Sequence, residues 1–323
     1  MRPTPFSARR SAVALLAAAL AGTLAGCGGQ APAGQQQTSS ARLSASTPTS
    51  TTSPATSATA TSSKKVTKLL VFVVENHSYG QMKANMPFTW RLAKRFAHAT
   101  DYHGIRHPSL PNYLAIAGGS TFGVSDDDDP SAHKISGRSV FGQALANGRT
   151  AKVYADGMPA NCSLTSGGNN YAVKHNPWAY FVDERGSCNT YDVPVGALGT
   201  DVADGRLPNA GMVVPNLQHD AHDGTLAAAD AWLKKKVNMV RKGTDWTSGR
   251  LAIVITADED DDHHGNRVLT IVASRSTPHG RVVKKRLNHY SLTRLYDDVL
   301  GVGRLRHAKT AASMTKAFGV PVR

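Results

Sequence analysis

Cysteine is scarce in this chain: three in 323 residues, at positions 27, 162 and 188. No C-x-x-C pair or neighbouring ligand spacing accompanies them, which argues against a thiolate metal site, and nothing around them argues for a cysteine nucleophile. Acidic residues are also in deficit. There are 23 Asp and Glu against 37 Lys and Arg, a formal net charge of +14. A basic exterior suits anionic substrates or an anionic envelope, and serves solubility equally well. No helix-turn-helix, zinc-finger or RNA-binding signature is present, so no specific nucleic-acid partner is expected. Nor is there an internal repeat, and nothing in the chain points to a protein partner. The apolar run at 12–21 is too short for a comfortable membrane span.

What is there begins with a leader. Arg2, Arg9 and Arg10 precede that apolar run, which closes on Leu24-Ala25-Gly26-Cys27. The pattern is that of a secretory signal, and its end resembles a bacterial lipobox. The resemblance implies cleavage after residue 26 and a diacylglycerol on Cys27; an ordinary signal with an unrelated cysteine is the alternative. Either way the protein is expected outside the cytoplasm, lipid-anchored to the bacterial cell membrane or secreted. Residues 28–65 are Ser, Thr, Ala, Pro, Gly and Gln with almost no large apolar side chains, and such a segment cannot offset its ordering entropy. It is expected to be a tether. The domain reading is therefore 1–26 signal peptide, 27–65 lipidated cysteine and linker, and 66–323 catalytic domain. With Cys27 acylated, Cys162 and Cys188 form an even pair in an oxidising compartment, where a disulfide is expected, contributing ~3 kcal/mol in the chain-entropy model.

Within 66–323, strand-like apolar runs (69–74, 99–103, 151–155, 211–215, 251–256, 268–273) alternate with helical periodicity (87–98, 110–117, 139–146, 225–240, 290–299). Alternation of this kind predicts an α/β fold: a central, mostly parallel sheet flanked by helices on both faces. Residues 118–138 and 156–210 lack periodicity and are expected to be loops at the mouth of a pocket. Ligands in such sheets bind beyond the carboxyl ends of the strands.

Two runs end at that edge in oxygen donors: 69–74 leads into Glu75-Asn76, and 251–256 leads towards Asp258-Glu259. Hard oxygen ligands favour Mg, Ca or Mn over Zn. Between them in sequence lies His107-Pro108-Ser109-Leu110-Pro111-Asn112, a serine held between prolines ahead of a helix. A serine hydroxyl needs activation, which contact with a cation would supply, and the following helix would aim N–H groups at a phosphate. Asn112 offers its amide to a phosphate oxygen. The acidic run 258–262 is expected to contribute only its first two members, with His263 and His264 peripheral. The run 126–129 follows no strand and is expected to be a surface loop, or at most a weak calcium site. His175 lies in the loop-rich middle. His219 and His222, three apart, can face one site, where they would hold a second metal, contact phosphate or protonate a leaving alkoxide.

In order along the chain, Glu75-Asn76-His77-Ser78-Tyr79, His107 to Tyr113, Lys174-His175-Asn176-Pro177-Trp178, Pro215-Asn216-Leu217 through His222-Asp223, Asp258-Glu259-Asp260-Asp261 with Asn266-Arg267-Val268, and His289-Tyr290-Ser291-Leu292 resemble the bacterial phosphoesterase family of secreted acid phosphatases and phospholipases C. The resemblance spans about 75 to 300. It implies an alkaline-phosphatase-like fold and a divalent metal ion held by Glu75, Asn76, Ser109, Asp258 and Glu259. It assigns the nucleophile to Ser109, and places His175, Asp220 and His222 near substrate. The dense acidic run after Asp258 departs from the family pattern.

The function expected is an extracytoplasmic, metal-dependent acid phosphatase that hydrolyses phosphomonoesters through a phosphoserine, with Ser109 and His222 catalytic and Asn112, His175 and Asp220 on the substrate. The alternative is a phospholipase C that cleaves phosphodiester head groups. A third reading, a non-catalytic anion-binding surface lipoprotein, sits badly with a complete set of Ser109 and both acidic pairs.

Overall fold

The computed structural model describes residues 64–322. The leader at 1–26, Cys27 and all but the last two residues of the 27–65 linker lie outside the described residues. An eight-stranded sheet organises the body. Its strands are β1 (Lys68–Val74), β2 (Ala97–Ala99), β4 (Ala151–Ala155), β5 (Asp192–Pro194), β6 (Ala210–Val214), β7 (Leu251–Ala257), β8 (Thr270–Ser274) and β9 (Arg281–Val283), in the spatial order β5-β4-β6-β1-β7-β8-β2-β9. All neighbours pair parallel except β8, which is antiparallel to both β7 and β2. A small parallel pair joins β3 (Tyr102–His103) to β10 (Leu287–Asn288). The central strands read as unbroken apolar runs because both of their faces are covered: β7 is buried throughout and β1 at every position after Lys68.

Two groups of helices cover the sheet. One contains α3 (Ser109–Gly118), α4 (Val140–Ala146), α9 (His289–Leu300) and α10 (Met314–Phe318); the other contains α1 (Tyr79–Asn85), α2 (Pro87–Arg95), α6 (Ala197–Ala203), α7 (Leu226–Val240) and α8 (Thr244–Thr247). A further helix, α5 (Arg185–Tyr191), packs beside β5. Phe72 in β1 meets Trp232 of α7 edge-on at 6.4 Å, while Tyr296 of α9 donates to Gly211 O of β6 at 2.7 Å. Helix α9, expected at 290–299, runs from His289: the Asn288 side chain caps it, and Gly301 ends it with φ 68°.

Three expectations need correction. The helix read at 87–98 stops at Arg95, because Ala97–Ala99 is recruited into the sheet between β8 and β9. The strand read at 99–103 is two strands in two sheets. The stretch 156–210, read as loops, holds α5, α6 and β5 and carries the Cys162–Cys188 disulfide. Its elements are three to seven residues long, and α5 buries only Cys188, so no apolar stripe marks it. Among the described residues, no helix is long and apolar enough to cross a membrane.

Candidate active site

Strands β1 and β7 lie side by side, with Val74 opposite Ala257, so their carboxyl ends deliver Glu75-Asn76 and Asp258-Glu259 to one place. Asn76 takes φ 48°, a left-handed conformation that asparagine tolerates, and its N–H donates to Asp258 Oδ1 at 3.2 Å. Helix α3 starts at Ser109 with Pro108 before it, and its side chains are buried along its whole length. Ser109 is 1 % exposed. Its Oγ lies 3.0 Å from Glu75 Oε2 and 3.4 Å from Glu259 Oε1. The structure thus brings the serine together with both acidic pairs.

Too much negative charge is gathered here for protein groups alone. Burial pushes the Asp258 carboxyl well up, and Glu75 and Glu259 add to it. Glu259 is raised to about 9 by burial, with Glu75 and Asp127 adding to it. Only Glu75 goes the other way: burial opposes its charge, but His175 and the Tyr113 hydroxyl hold it down at about 2. Asn76 Oδ1 and Asp258 Oδ2 are buried without partners. A divalent cation would satisfy those oxygens and offset the carboxylates, so the donor set fits a hard metal ion.

His175 is fully buried beneath this cluster. Its Nε2 lies 3.2 Å from Glu75 Oε2 and its Nδ1 3.2 Å from Asp220 Oδ2. The distances suit ion pairs, but neither ring nitrogen is aligned for a good hydrogen bond. Burial works against its charge; the two carboxylates, Glu75 foremost, overcome this and raise it to about 9. The Tyr113 ring stacks on it at 5.1 Å, and the Tyr113 hydroxyl donates to Glu75 Oε1. Asp220 reaches the cluster through His175 and accepts from the His222 N–H at 2.8 Å. On the other side, burial lowers His289 to about 4, so its neutral ring donates from Nε2 to Asp258 O and accepts from the Tyr102 hydroxyl at 3.1 Å.

Other sequence candidates sit elsewhere or do other work. The Asn112 amide is committed: Oδ1 accepts from Ile105 N at 2.8 Å, and Nδ2 donates to Arg106 O at 2.6 Å and to Glu259 Oε2 at 2.9 Å. It fixes the turn before Ser109 and steers Glu259. His219 and His222 do not face one site. Ala221 between them takes φ 79°, so the segment is not helical. His219 pairs with Asp156 at 2.6 Å and stacks on Trp232, whereas His222 has its Nε2 3.4 Å from Lys174 Nζ. Asp260 is a hub that shapes its loop by accepting from three backbone N–H groups. His263 and His264 are exposed.

Two neighbours escaped the sequence reading. His107 lies 3.2 Å from Glu259 Oε2 and 3.3 Å from Asp260 Oδ1. Asp127, taken for part of a surface loop, reaches into the site: its Oδ1 accepts from the Leu110 N–H at 2.9 Å and its Oδ2 from Lys174 Nζ at 2.8 Å. A carboxylate therefore covers the start of α3, where a phosphate would be received. The one available signal was the absence of an apolar strand before 126–129, and it pointed the wrong way.

A buried hydroxyl facing acidic strand ends is an arrangement suited to phosphoric ester hydrolysis, and solved structures with this architecture are alkaline-phosphatase-superfamily proteins. A superfamily protein from Vibrio parahaemolyticus superposes with a TM-score of 0.52 at 12% identity, covering 79% of this chain and 72% of that one. The lipoteichoic acid synthase LtaP from Listeria monocytogenes superposes with a TM-score of 0.51 at 7% identity, over 74% and 73% of the two chains. At such identities the likeness concerns the fold. The chain itself belongs to the Phosphoesterase family, whose model matches residues 71–303, and is a phosphoric ester hydrolase. It is 28% identical over 257 residues to a phosphatidylinositol-3-phosphatase of Mycobacterium tuberculosis, covering 78% of this chain and 82% of that protein. It is 29% identical over 224 residues to a phosphate-repressible acid phosphatase of Penicillium chrysogenum, covering 62% and 51%. The chain spans about half the length of the fungal acid phosphatases it matches.

Proposed function

We propose that this protein is an extracytoplasmic, metal-dependent phosphomonoesterase of acid phosphatase type, with residues 66–323 as its catalytic body, 27–65 as a tether from a lipidated Cys27, and 1–26 as the signal. One observation carries the chemistry: the buried Ser109 Oγ stands 3.0 Å from Glu75 Oε2 at the edge where β1 and β7 converge. The relatives' names, acid phosphatase and phosphatidylinositol-3-phosphatase, support removal of phosphate over cleavage of a head-group diester.

In this reading, Glu75, Asn76, Ser109, Asp258 and Glu259 hold a divalent cation, with oxygen donors favouring Mg, Ca or Mn over Zn. When bound, that ion lowers the pKa of the serine hydroxyl and neutralises phosphate charge. Ser109 gives up its hydroxyl proton to solvent, its Oγ attacks phosphorus in line as the bond to the leaving oxygen breaks, and the leaving group takes a proton from His222 or water. Water then attacks the phosphoserine, releasing orthophosphate and returning a proton to Ser109. His175, held by Asp220, offsets the charge of Glu75 from below. Lys174 and the Leu110 N–H receive the phosphate once Asp127 gives way.

The test is a substrate comparison with the metal-loaded protein. Hydrolysis of a chromogenic phosphomonoester with little turnover of a phosphocholine diester is expected, lost on chelation and restored by one divalent ion. The opposite preference would make the enzyme a phospholipase C. Saturable anion binding without turnover in any metal would leave a binding protein.

A further inference from the structure

The end of the sheet away from Ser109 carries a concentration of positive charge that is unpaired among the described residues. Helix α7 leaves the site after His222-Asp223 and runs back past the sheet to Arg241. Helix α2 ends at Arg95 before β2, which runs in the direction of β1, so Arg95 lies at the same end. The antiparallel β8 leads to Arg275 there, and β9 begins there at Arg281, whose N–H donates to Phe96 O at 3.0 Å.

These cations crowd one another. The guanidinium groups of Arg95 and Arg241 each lie 5.5 Å from the centroid of the same Phe96 ring, and Arg241 is also 5.3 Å from Trp246. Arg241 Nε is buried without a partner. A cleft of about 550 Å³ beside them is lined by Phe88, Arg91, Leu92, Lys94, Arg95 and Arg241, four cations and no acid. Acids on the adjoining helices are spent elsewhere. Asp230 is buried and caps the start of α2, and Asp245 is buried against Lys68 at 2.7 Å, with Arg250 at 3.8 Å. Like charges sharing a ring without a counter-ion are stabilised by an anionic partner.

The chain's own course says which partner. Lys64 lines a second cleft at this end, of about 630 Å³, together with Arg275 and Pro278, and the Val66 N–H donates to Pro321 O. The segment that begins at Cys27 therefore joins the body on the basic end, and a fully extended chain of that length reaches at most about 130 Å. A diacylglycerol at Cys27 would tether the chain to a bilayer without fixing its orientation, and a polybasic surface at the attachment end would add an electrostatic contact with anionic lipids. We propose that the end of the sheet opposite Ser109 docks on an anionic lipid bilayer through Arg91, Lys94, Arg95, Arg241, Arg275 and Arg281, so that the catalytic mouth faces away from that membrane. The enzyme then takes its phosphate esters from the solvent side. The docking acts whether or not Cys27 is acylated and is independent of the chemistry at Ser109.

The experiment is sedimentation of the full chain carrying Cys27→Ala with vesicles of phosphatidylcholine alone or of an equal mixture with phosphatidylglycerol. Binding to the mixed vesicles only is expected, weakening as salt is added. Lys94→Gln, Arg95→Gln and Arg281→Gln together should lower that affinity roughly a hundredfold, since each cation near an anionic surface contributes about 1 kcal/mol. Phosphomonoester hydrolysis by the triple variant should stay at the parent rate, which also reports an intact fold. No preference for anionic vesicles, full binding by the triple variant, or binding of a DNA duplex without vesicle binding would each overturn the proposal. The salt dependence of the unmutated surface stands as a separate check.

Discussion

The hydroxyl of Ser109 lies 3.0 Å from Glu75 Oε2, although 34 residues separate the two in sequence. The contact joins the start of α3 to the end of β1, and Glu259 completes it from β7 at 3.4 Å. Each of the following expectations depends on that convergence or on the groups packed around it.

Ser109→Ala removes one oxygen from a site whose frame is set by the sheet. Turnover of a phosphomonoester should fall by at least roughly a thousandfold, with Tm nearly unchanged. A variant that folds and keeps parental kcat would reject Ser109 as nucleophile.

Asp127 holds the Leu110 N–H and Lys174, the groups that would receive phosphate in the proposed reaction. Asp127→Ala should lower KM for a phosphomonoester roughly tenfold, the value of a charge-assisted hydrogen bond released to the substrate, with little change in kcat. Steady-state kinetics decide it; a raised KM would mean that Asp127 helps to bind substrate.

Asp192 tests the electrostatics of the body away from the acidic site. Burial raises its carboxyl to about 8, against the pull of Asn176 and Arg185. Its unfolded value is near 3.9. Between those values the native state keeps a proton that the unfolded chain has released, so stability falls as pH rises from about 4 to about 8. Asp192→Asn removes that titration, and its Tm advantage over the parent should be larger at pH 8 than at pH 5. Equal advantages at both pH values would place the Asp192 pKa near its ordinary value.

The sequence made the acidic strand ends legible for a physical reason. β1 and β7 are buried on both faces, so they stand out as unbroken apolar runs, and the polar residue that ends each run marks the sheet edge. α7 was legible through its start signal at Thr225 and α9 through its stop at Gly301. Tyr113, stacked on His175, was hidden because it lies within a helix that is buried on every side. Asp127 was hidden because a loop's path depends on tertiary contacts, here Lys174, that local pattern does not encode. α5 and α6 were missed because α5 buries only Cys188 and α6 buries Asp201 beside Leu198 and Val202, so neither shows the apolar stripe that marks the equally short α4. His219 misled because a spacing of three means a shared face only in a helix, and Ala221 turns the chain instead.

The most direct test of the central claim is to mix the metal-loaded protein with a phosphomonoester, quench in acid within a turnover, and map phosphate by mass spectrometry. The account predicts phosphate on the peptide carrying Ser109, absent from Ser109→Ala and from chelated protein. Rapid turnover with no phosphoserine at any time, or phosphate found on a different residue, would contradict it.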